Sequence, residues 1–263
     1  MPTELTTVVI EALDPRRLAR FWAQALEGEP PAPASAPVPA SAPADGSIAD
    51  GTGIRLCGSG DIGLLFVPSA RPKTAKNRVH LDLAGDVDEV RRLLALGATR
   101  VDIGQGTVPW EVLVDPEGNE FCVLPRTRTG SHSGLAQICQ DAADPSTQGR
   151  FWEEASGWSL VDQGDWGVSL ASAAGDGPTL VMGPPAAPKA SRNRIQLALT
   201  PSADSDPSAE VPRLLAAGAS TAAPGRDESH RHHLLSDRHH LLSDPEGNEF
   251  LILGPSQAER PGA

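Results

Sequence analysis

The sequence predicts an α+β fold made of two tandem domains, each holding two βαβββ units that curve into a cup-like mixed sheet with helices outside. An internal repeat points to it first. "DPRRLARFWAQALEG" at Asp14 returns as "DPSTQGRFWEEASGW" at Asp144, "NRVHLDL" at Asn77 as "NRIQLAL" at Asn193, "RRLLALGAT" as "PRLLAAGAS", and "DPEGNEF" at Asp115 again at Asp244. The offsets between copies are 130 residues at Phe21/Phe151, 116 at Asn77/Asn193 and 129 at Asp115/Asp244, so two similar domains carry insertions at different places. The second observation is periodicity, which switches between strand and helix in the same order in every unit.

Element by element, "TTVVIEA" reads as a β-branched strand. Asp14 has the side chain of an N-cap and Pro15 suits N1, so "RRLARFWAQAL" is a helix that runs to Gly28. A Pro/Ala/Ser tract at about 29–46 cannot build a core and is expected as a loop. Strands follow at "GIRLCGSG" and "IGLLFVP". The second unit opens with "NRVHLDLAG", continues through the helix "VDEVRRLLALGA" with Leu93, Leu94 and Leu96 facing inward, and closes with "TRVDIG", "WEVLVD", the turn "PEGN" and "EFCVL". Domain boundaries are expected at 1–126 and 134–255, with 127–133 a linker and 256–263 a tail. Relative to its sister, the second domain is longer ahead of its last turn, where the heptapeptide RHHLLSD is written twice from Arg231 to Asp244.

Composition narrows the partners. A formal charge of −12 and a pI near 5.0 leave no basic stripe for phosphates, which argues against nucleic acid and anionic membrane surfaces. No apolar run approaches a membrane span and the N-terminus lacks a signal-peptide pattern, so a cytoplasmic location is expected. Cys57, Cys122 and Cys139 are odd in number and form no CxxC pair, as reduced thiols would.

The FW pair in the first helix, the RVHLDL strand, the GA-terminated helix and "VDPEGNEFCVL" together resemble the vicinal oxygen chelate superfamily, which includes glyoxalase I, bleomycin-resistance proteins and extradiol dioxygenases. The resemblance covers nearly the whole chain as two complete domains, and it implies fold more specifically than activity. In metal-using members it implies ligands on the first strand, on the strand opening the second unit and on the final strand. Those positions are Thr7, His80 and Cys122 in domain one, and Gln137, Gln196 and Leu251 in domain two. Neither set reproduces the family's, so no metal site and no cofactor are expected; a divalent ion at His80 is the alternative.

Period-two alternation places Thr7, Val9, Glu11, Arg78, His80, Asp82, Glu120, Cys122 and either Trp110 or Glu111 in one cup, with Val8, Ile10, Val79, Leu81, Leu83, Phe121 and Val123 under the helices. The second cup receives Gln137, Cys139, Arg194, Gln196, Ala198, Glu249 and Leu251. His80 with Glu11 or Asp82 could act as acid and base, or as a hydrogen-bonding pocket histidine. Cys122 reads as a buried structural thiol or as a nucleophile. Trp110, Trp158 and Trp166 are candidates for lining a cavity. The histidine heptads offer adventitious metal affinity, a role in a loop or a metal site, and alignment sets His239 at the position of Trp110 and His240 at that of Glu111. The leading expectation is a binding protein that holds a small apolar or aromatic molecule in the cup of domain one, using Thr7, Val9, Arg78, His80, Asp82, Trp110 and Cys122, with Gln137 and Gln196 at matching positions. The alternative is a lyase, isomerase or dioxygenase working through His80 and Glu11. An ancillary interaction domain is a third class. A monomer with paired domains and a homodimer are both compatible with the repeat.

Overall fold

Local chemistry sets most elements where alternation and capping predict them. The computed structural model describes residues 3–26, 52–55, 62–129, 134–175, 177–202, 205, 207–221 and 239–254. In the first half, β1 (Thr3–Ala12) leads to α1 (Pro15–Ala25), where Asp14 accepts a hydrogen bond from the Arg17 N–H and Pro15 starts the helix. Then come β2 (Thr52–Arg55), β3 (Gly63–Pro68), β4 (Val79–Gly85), α2 (Val87–Leu96), β5 (Thr99–Arg100), β6 (Glu111–Val114), β7 (Glu120–Pro125) and the short α3 (Arg126–Thr129). The second half repeats the order as β8 (Gly134–Asp141), α4 (Pro145–Ser156), β9 (Ser159–Gly164), β10 (Gly167–Ala171), β11 (Thr179–Gly183), β12 (Ile195–Pro201), α5 (Pro207–Ala216), β13 (Ser220–Thr221), β14 (His240–Ser243) and β15 (Glu249–Ile252). The Pro/Ala tract and the first RHHLLSD copy lie outside the described residues. No described helix is long and apolar enough to cross a membrane.

The strands assemble into two sheets, and each sheet draws one unit from each half. The first runs β13-β14-β15-β12-β1-β3-β2, and the second β5-β6-β7-β4-β8-β11-β10-β9. Antiparallel seams join the halves, with Val9 opposite Gln196 in the first sheet and His80 opposite Cys139 in the second. The tandem α+β architecture stands, and neither sheet closes into a barrel. What changes is membership: a cup belongs to both halves, not to one.

The core lies between the sheets and around the helices. Val8, Ile10, Val79, Leu81, Leu83, Phe121 and Val123 all join one buried cluster, as alternation requires. Each half supplies its own aromatic centre. Trp22 meets Phe121 edge to face at 5.3 Å, and Trp152 meets Phe250 at 5.4 Å. On α2 the buried residues are Val90 and Leu93, whereas Leu94 and Leu96 are only partly covered, because a three-residue step keeps one face on the core and the neighbouring leucines lie at its margin. The "TRVDIG" stretch forms a strand only at Thr99–Arg100 before the chain leaves the sheet.

Both DPEGN turns are tied down by their own side chains. Asp115 accepts from the N–H groups of Glu117 and Asn119, from Asn119 Nδ2 and from Trp22 Nε1; Asp244 does the same for its own turn and accepts Gln140 Nε2 at 2.6 Å. Gly118 and Gly247 adopt φ of 82° and 79°, a left-handed conformation that a side chain would strain.

Candidate functional site

Strand pairing across the halves decides which polar side chains meet. On β4, His80 and Asp82 are two residues apart and share the face opposite the core. Across one seam Asp82 stands opposite Cys122 of β7, and across the other His80 and Asp82 stand opposite Cys139 and Gln137 of β8. Five polar side chains from both halves therefore share the middle of the second sheet. The His80 Nε2 atom is 3.4 Å from Asp82 Oδ1, and the Cys139 thiol donates to Asp82 Oδ2 at 3.3 Å. Cys139 Sγ is also 3.8 Å from Gln137 Oε1. Single ligand atoms of His80, Asp82 and Cys122 all lie within 4.8 Å of one another.

Burial gives this cluster its electrostatics. Asp82 is 5% exposed, yet its Oδ1 accepts no hydrogen bond from a described residue, and His80 Nδ1 is likewise buried without a partner. Both thiols are held protonated at neutral pH. Burial is the larger cause and the Asp82 carboxylate beside them the next, and together they push both groups well above the ordinary cysteine range. A nucleophilic role for Cys122 without an activating cation is disfavoured on that ground. Apolar side chains complete one wall: Val112, Cys122 and Leu124 form a small cluster with Trp110 against it, and the Arg128 guanidinium lies 5.4 Å from the Trp110 ring. Trp110 and Val112 also border an open cavity of about 370 Å³, together with Arg100, Asp102, Gln105 and Glu111.

Several expected site residues are elsewhere. Thr7, Val9 and Glu11 are on the other sheet, because β1 pairs with β12 and β3 and not with β4. Glu11 is buried against Arg71 Nη2 at 2.6 Å, Ser69 Oγ at 3.1 Å and Arg192 Nε at 3.4 Å, so it is no partner for His80. Val9 packs with Val67, Ala198 and Leu251, and Gln196, only 1% exposed, donates to the Asn193 carbonyl on that same sheet. Arg78 is a tie between the halves, donating to Glu246 at 2.9 Å and to the Ala187 carbonyl at 2.6 Å. Trp158 is core, and Trp166 is exposed at the β9–β10 turn. His239 is buried and its Nδ1 accepts the Gly254 N–H at 2.9 Å, a structural use, while His230, His232 and His233 lie outside the described residues.

Once the sheets are known, the three ligand positions implied by resemblance regroup. Gln137, His80 and Cys122 fall together in the second sheet, and Thr7, Gln196 and Leu251 in the first. Alternation had assigned Cys139 to the inward face of its strand. Nothing local in the sequence could place it beside Asp82.

Residues 7–124 and 137–253 each match the family model described as a glyoxalase-like domain. No match was found among curated proteins. Among solved structures, glyoxalase I from Zea mays aligns over 96% of this chain and 92% of its own with a TM-score of 0.60 at 16% identity. A putative dioxygenase from Bacillus subtilis subsp. subtilis str. 168 aligns over 99% of this chain and 86% of its own with a TM-score of 0.57 at 14% identity. Identities this low speak for the shared fold and not for a shared reaction.

Proposed function

From a chain that belongs to the glyoxalase-like family in both of its halves, we propose a protein that binds a small, apolar or aromatic molecule in the cup of the second sheet. One observation carries the reading: the seam between β4 and β8 gathers His80, Asp82, Gln137 and Cys139 on one face, bordered by the Val112–Leu124 wall. An aromatic body would lie on that wall while His80 and Gln137 hydrogen-bond its polar edge. The other sheet offers Val9, Val67, Ala198 and Leu251 at the matching place, with Thr7 and Gln196 beside them and no titratable side chain equivalent to His80 there among the described residues. The reading is supported by the thiol of Cys122 at the final-strand position, where the resemblance implies a metal ligand.

The test is fluorescence titration with anilinonaphthalene sulfonate as an aromatic probe. His80→Ala and Gln137→Ala are each expected to raise its Kd about tenfold, equivalent to about 1.4 kcal/mol, and Gln196→Ala to change it less than about twofold. Equal losses from His80→Ala and Gln196→Ala would sink the assignment to the second sheet.

A second reading, a lyase, isomerase or dioxygenase working through His80, is favoured by the close approach of His80, Asp82 and Cys122 donor atoms. In it Asp82 orients the His80 ring, and His80 moves a proton at a ring nitrogen while the wall at Val112 and Leu124 excludes water. A divalent ion, when bound, would supply Lewis acidity toward substrate oxygens. The residues present can hold such an ion: His80, Asp82 and Cys122 are candidate ligands, and the buried Asp82 Oδ1, which accepts no hydrogen bond from a described residue, is a donor that an ion would satisfy.

A further inference from the structure

We propose that the cup of the second sheet selects an organic cation, a protonated amine carried on an aromatic or apolar body, and that Asp82 is its counter-ion. The inference rests on the reading that this cup binds a small molecule. It adds the chemical class of that molecule and the residue that sets it.

The other buried carboxylates show what is unusual about this one. Among the described residues, Glu11, Glu120 and Glu210 are buried, and each meets an arginine or lysine nitrogen at 2.5 to 2.7 Å. Asp115 and Asp244 are buried too, and each is held by backbone N–H groups and the asparagine amide of its own turn. Asp82, 5% exposed, has neither kind of support. Its Oδ2 takes the Cys139 thiol, an uncharged donor; its Oδ1 accepts no hydrogen bond from a described residue, and His80 Nε2 approaches only to 3.4 Å. Lys76 is near enough to act on the Cys122 thiol, but its ammonium is taken by Asp141 at 2.6 Å. A carboxylate out of water is costly unless a cation or several donors meet it.

The fold does not demand this charge. In the repeat, Ala198 stands at the position of Asp82 and Gln196 at that of His80, and Ala198 is buried on the equivalent strand of the other half. A side chain that costs stability, in a place its sister half fills with a methyl group, points to a ligand.

The acceptors around Asp82 suit an ammonium, which has three donors and no acceptor. Asp82 offers Oδ1, and Gln137 offers Oε1, which has only the Cys139 thiol at 3.8 Å. His80 adds a ring nitrogen, since Nδ1 is buried without a partner. Cys122 and Cys139 stay protonated and bring no second negative charge, so a single ammonium balances the cup. The Val112–Leu124 wall with Trp110 receives the apolar body. An anionic group in the same place would face Asp82 as a like charge. At longer range, the chain's formal charge of −12 draws cations in and repels anions.

The experiment is isothermal titration of the chelator-treated full chain, near neutral pH, with naphthalenes of one shape and different charge: 1-naphthylmethylamine, 1-naphthylmethanol and 1-naphthoate. The amine is expected to bind about tenfold tighter than the alcohol, as a hydrogen bond to a charged group allows, and the carboxylate is the weakest. Asp82→Asn should weaken the amine about tenfold and leave the alcohol within about threefold, so that the preference disappears. Its melting temperature should stay within about 5 °C of the natural chain's or rise, because no countercharge is stranded. A melting temperature lowered by more than about 5 °C would show the carboxylate already satisfied within the chain, and overturns the inference. So does a preference for the amine that survives in Asp82→Asn. The order of the probes on the natural chain depends on no variant. An amine no tighter than the alcohol, with alcohol binding still weakened by His80→Ala, removes the counter-ion alone. Alcohol binding that is indifferent to His80→Ala and weakened by Gln196→Ala removes the small-molecule reading with it, as does failure of all the probes to bind.

Discussion

At the scale of single residues, Asp82 and the two thiols show how neighbours set chemistry. Cys139 gives its S–H to Asp82, and Cys122 lies across the adjacent seam, so deprotonating either would place a second negative charge beside a buried carboxylate. Burial, then that carboxylate, raises both thiols, and each unit of elevation lowers the reactive thiolate fraction about tenfold at a given pH. The metal-free folded chain should therefore alkylate at Cys122 and Cys139 at least about tenfold more slowly at pH 8 than the denatured chain. Peptide mapping after timed iodoacetamide quenching measures this, and equal folded and unfolded rates would contradict the burial argument. At Asp115 burial wins again, this time against its own hydrogen bonds. Four hydrogen bonds favour its charged form, yet desolvation outweighs them and raises its pKa.

At the scale of elements, the repeated turn is more than a hairpin closure. Glu117 accepts the Leu13 and Asp14 N–H groups ahead of α1 and the Arg194 guanidinium from the other half; Glu246 accepts the Ala143 and Asp144 N–H groups ahead of α4 and Arg78. The two turns thus lock each half's helix entry and reach across to the opposite half's "NR" strand. Arg194 and Glu117 side chains are only 8% and 7% exposed. Removing one partner leaves the other charge buried, so Glu117→Ala is expected to cost about 3 to 5 kcal/mol in urea unfolding. Arg91 and Asp88 on α2, by contrast, are 70% and 80% exposed and form a pair of the kind whose loss changes little. A Glu117→Ala cost below about 1 kcal/mol would show that the tie is solvated in solution.

At the scale of the whole molecule, the repeat and the sheets divide the chain differently. Each half owns an aromatic core, around Trp22 and Phe121 or Trp152 and Phe250, but neither owns a complete sheet. A fragment of residues 1–126 alone would expose the open edges of β1 and β4, a template for pairing with another chain. It should associate as a homodimer or aggregate, and mixing with residues 127–263 should restore a one-to-one complex. Light scattering with chromatography measures this. A folded, monomeric 1–126 fragment at micromolar concentration would contradict the shared-sheet architecture.

The sequence by itself determined what depends on near neighbours: Asp14 and Asp144 as caps, the DPEGN turns, and the faces of β1, β4 and β7, because capping, turn chemistry and alternation act within a few residues. It also determined that the chain is a doubled unit. Only the tertiary structure decided which unit lies beside which. The two halves carry nearly the same strand pattern, so β1 could pair with β4 or with β12 by local rules alone. Long-range terms, including the hydrogen-bonded seams and the Arg78–Glu246 and Arg194–Glu117 ties, select the exchanged pairing. That choice moves Glu11 away from His80 and brings Gln137 and Cys139 to it, which is why the site's residue types were legible in the sequence and its membership was not.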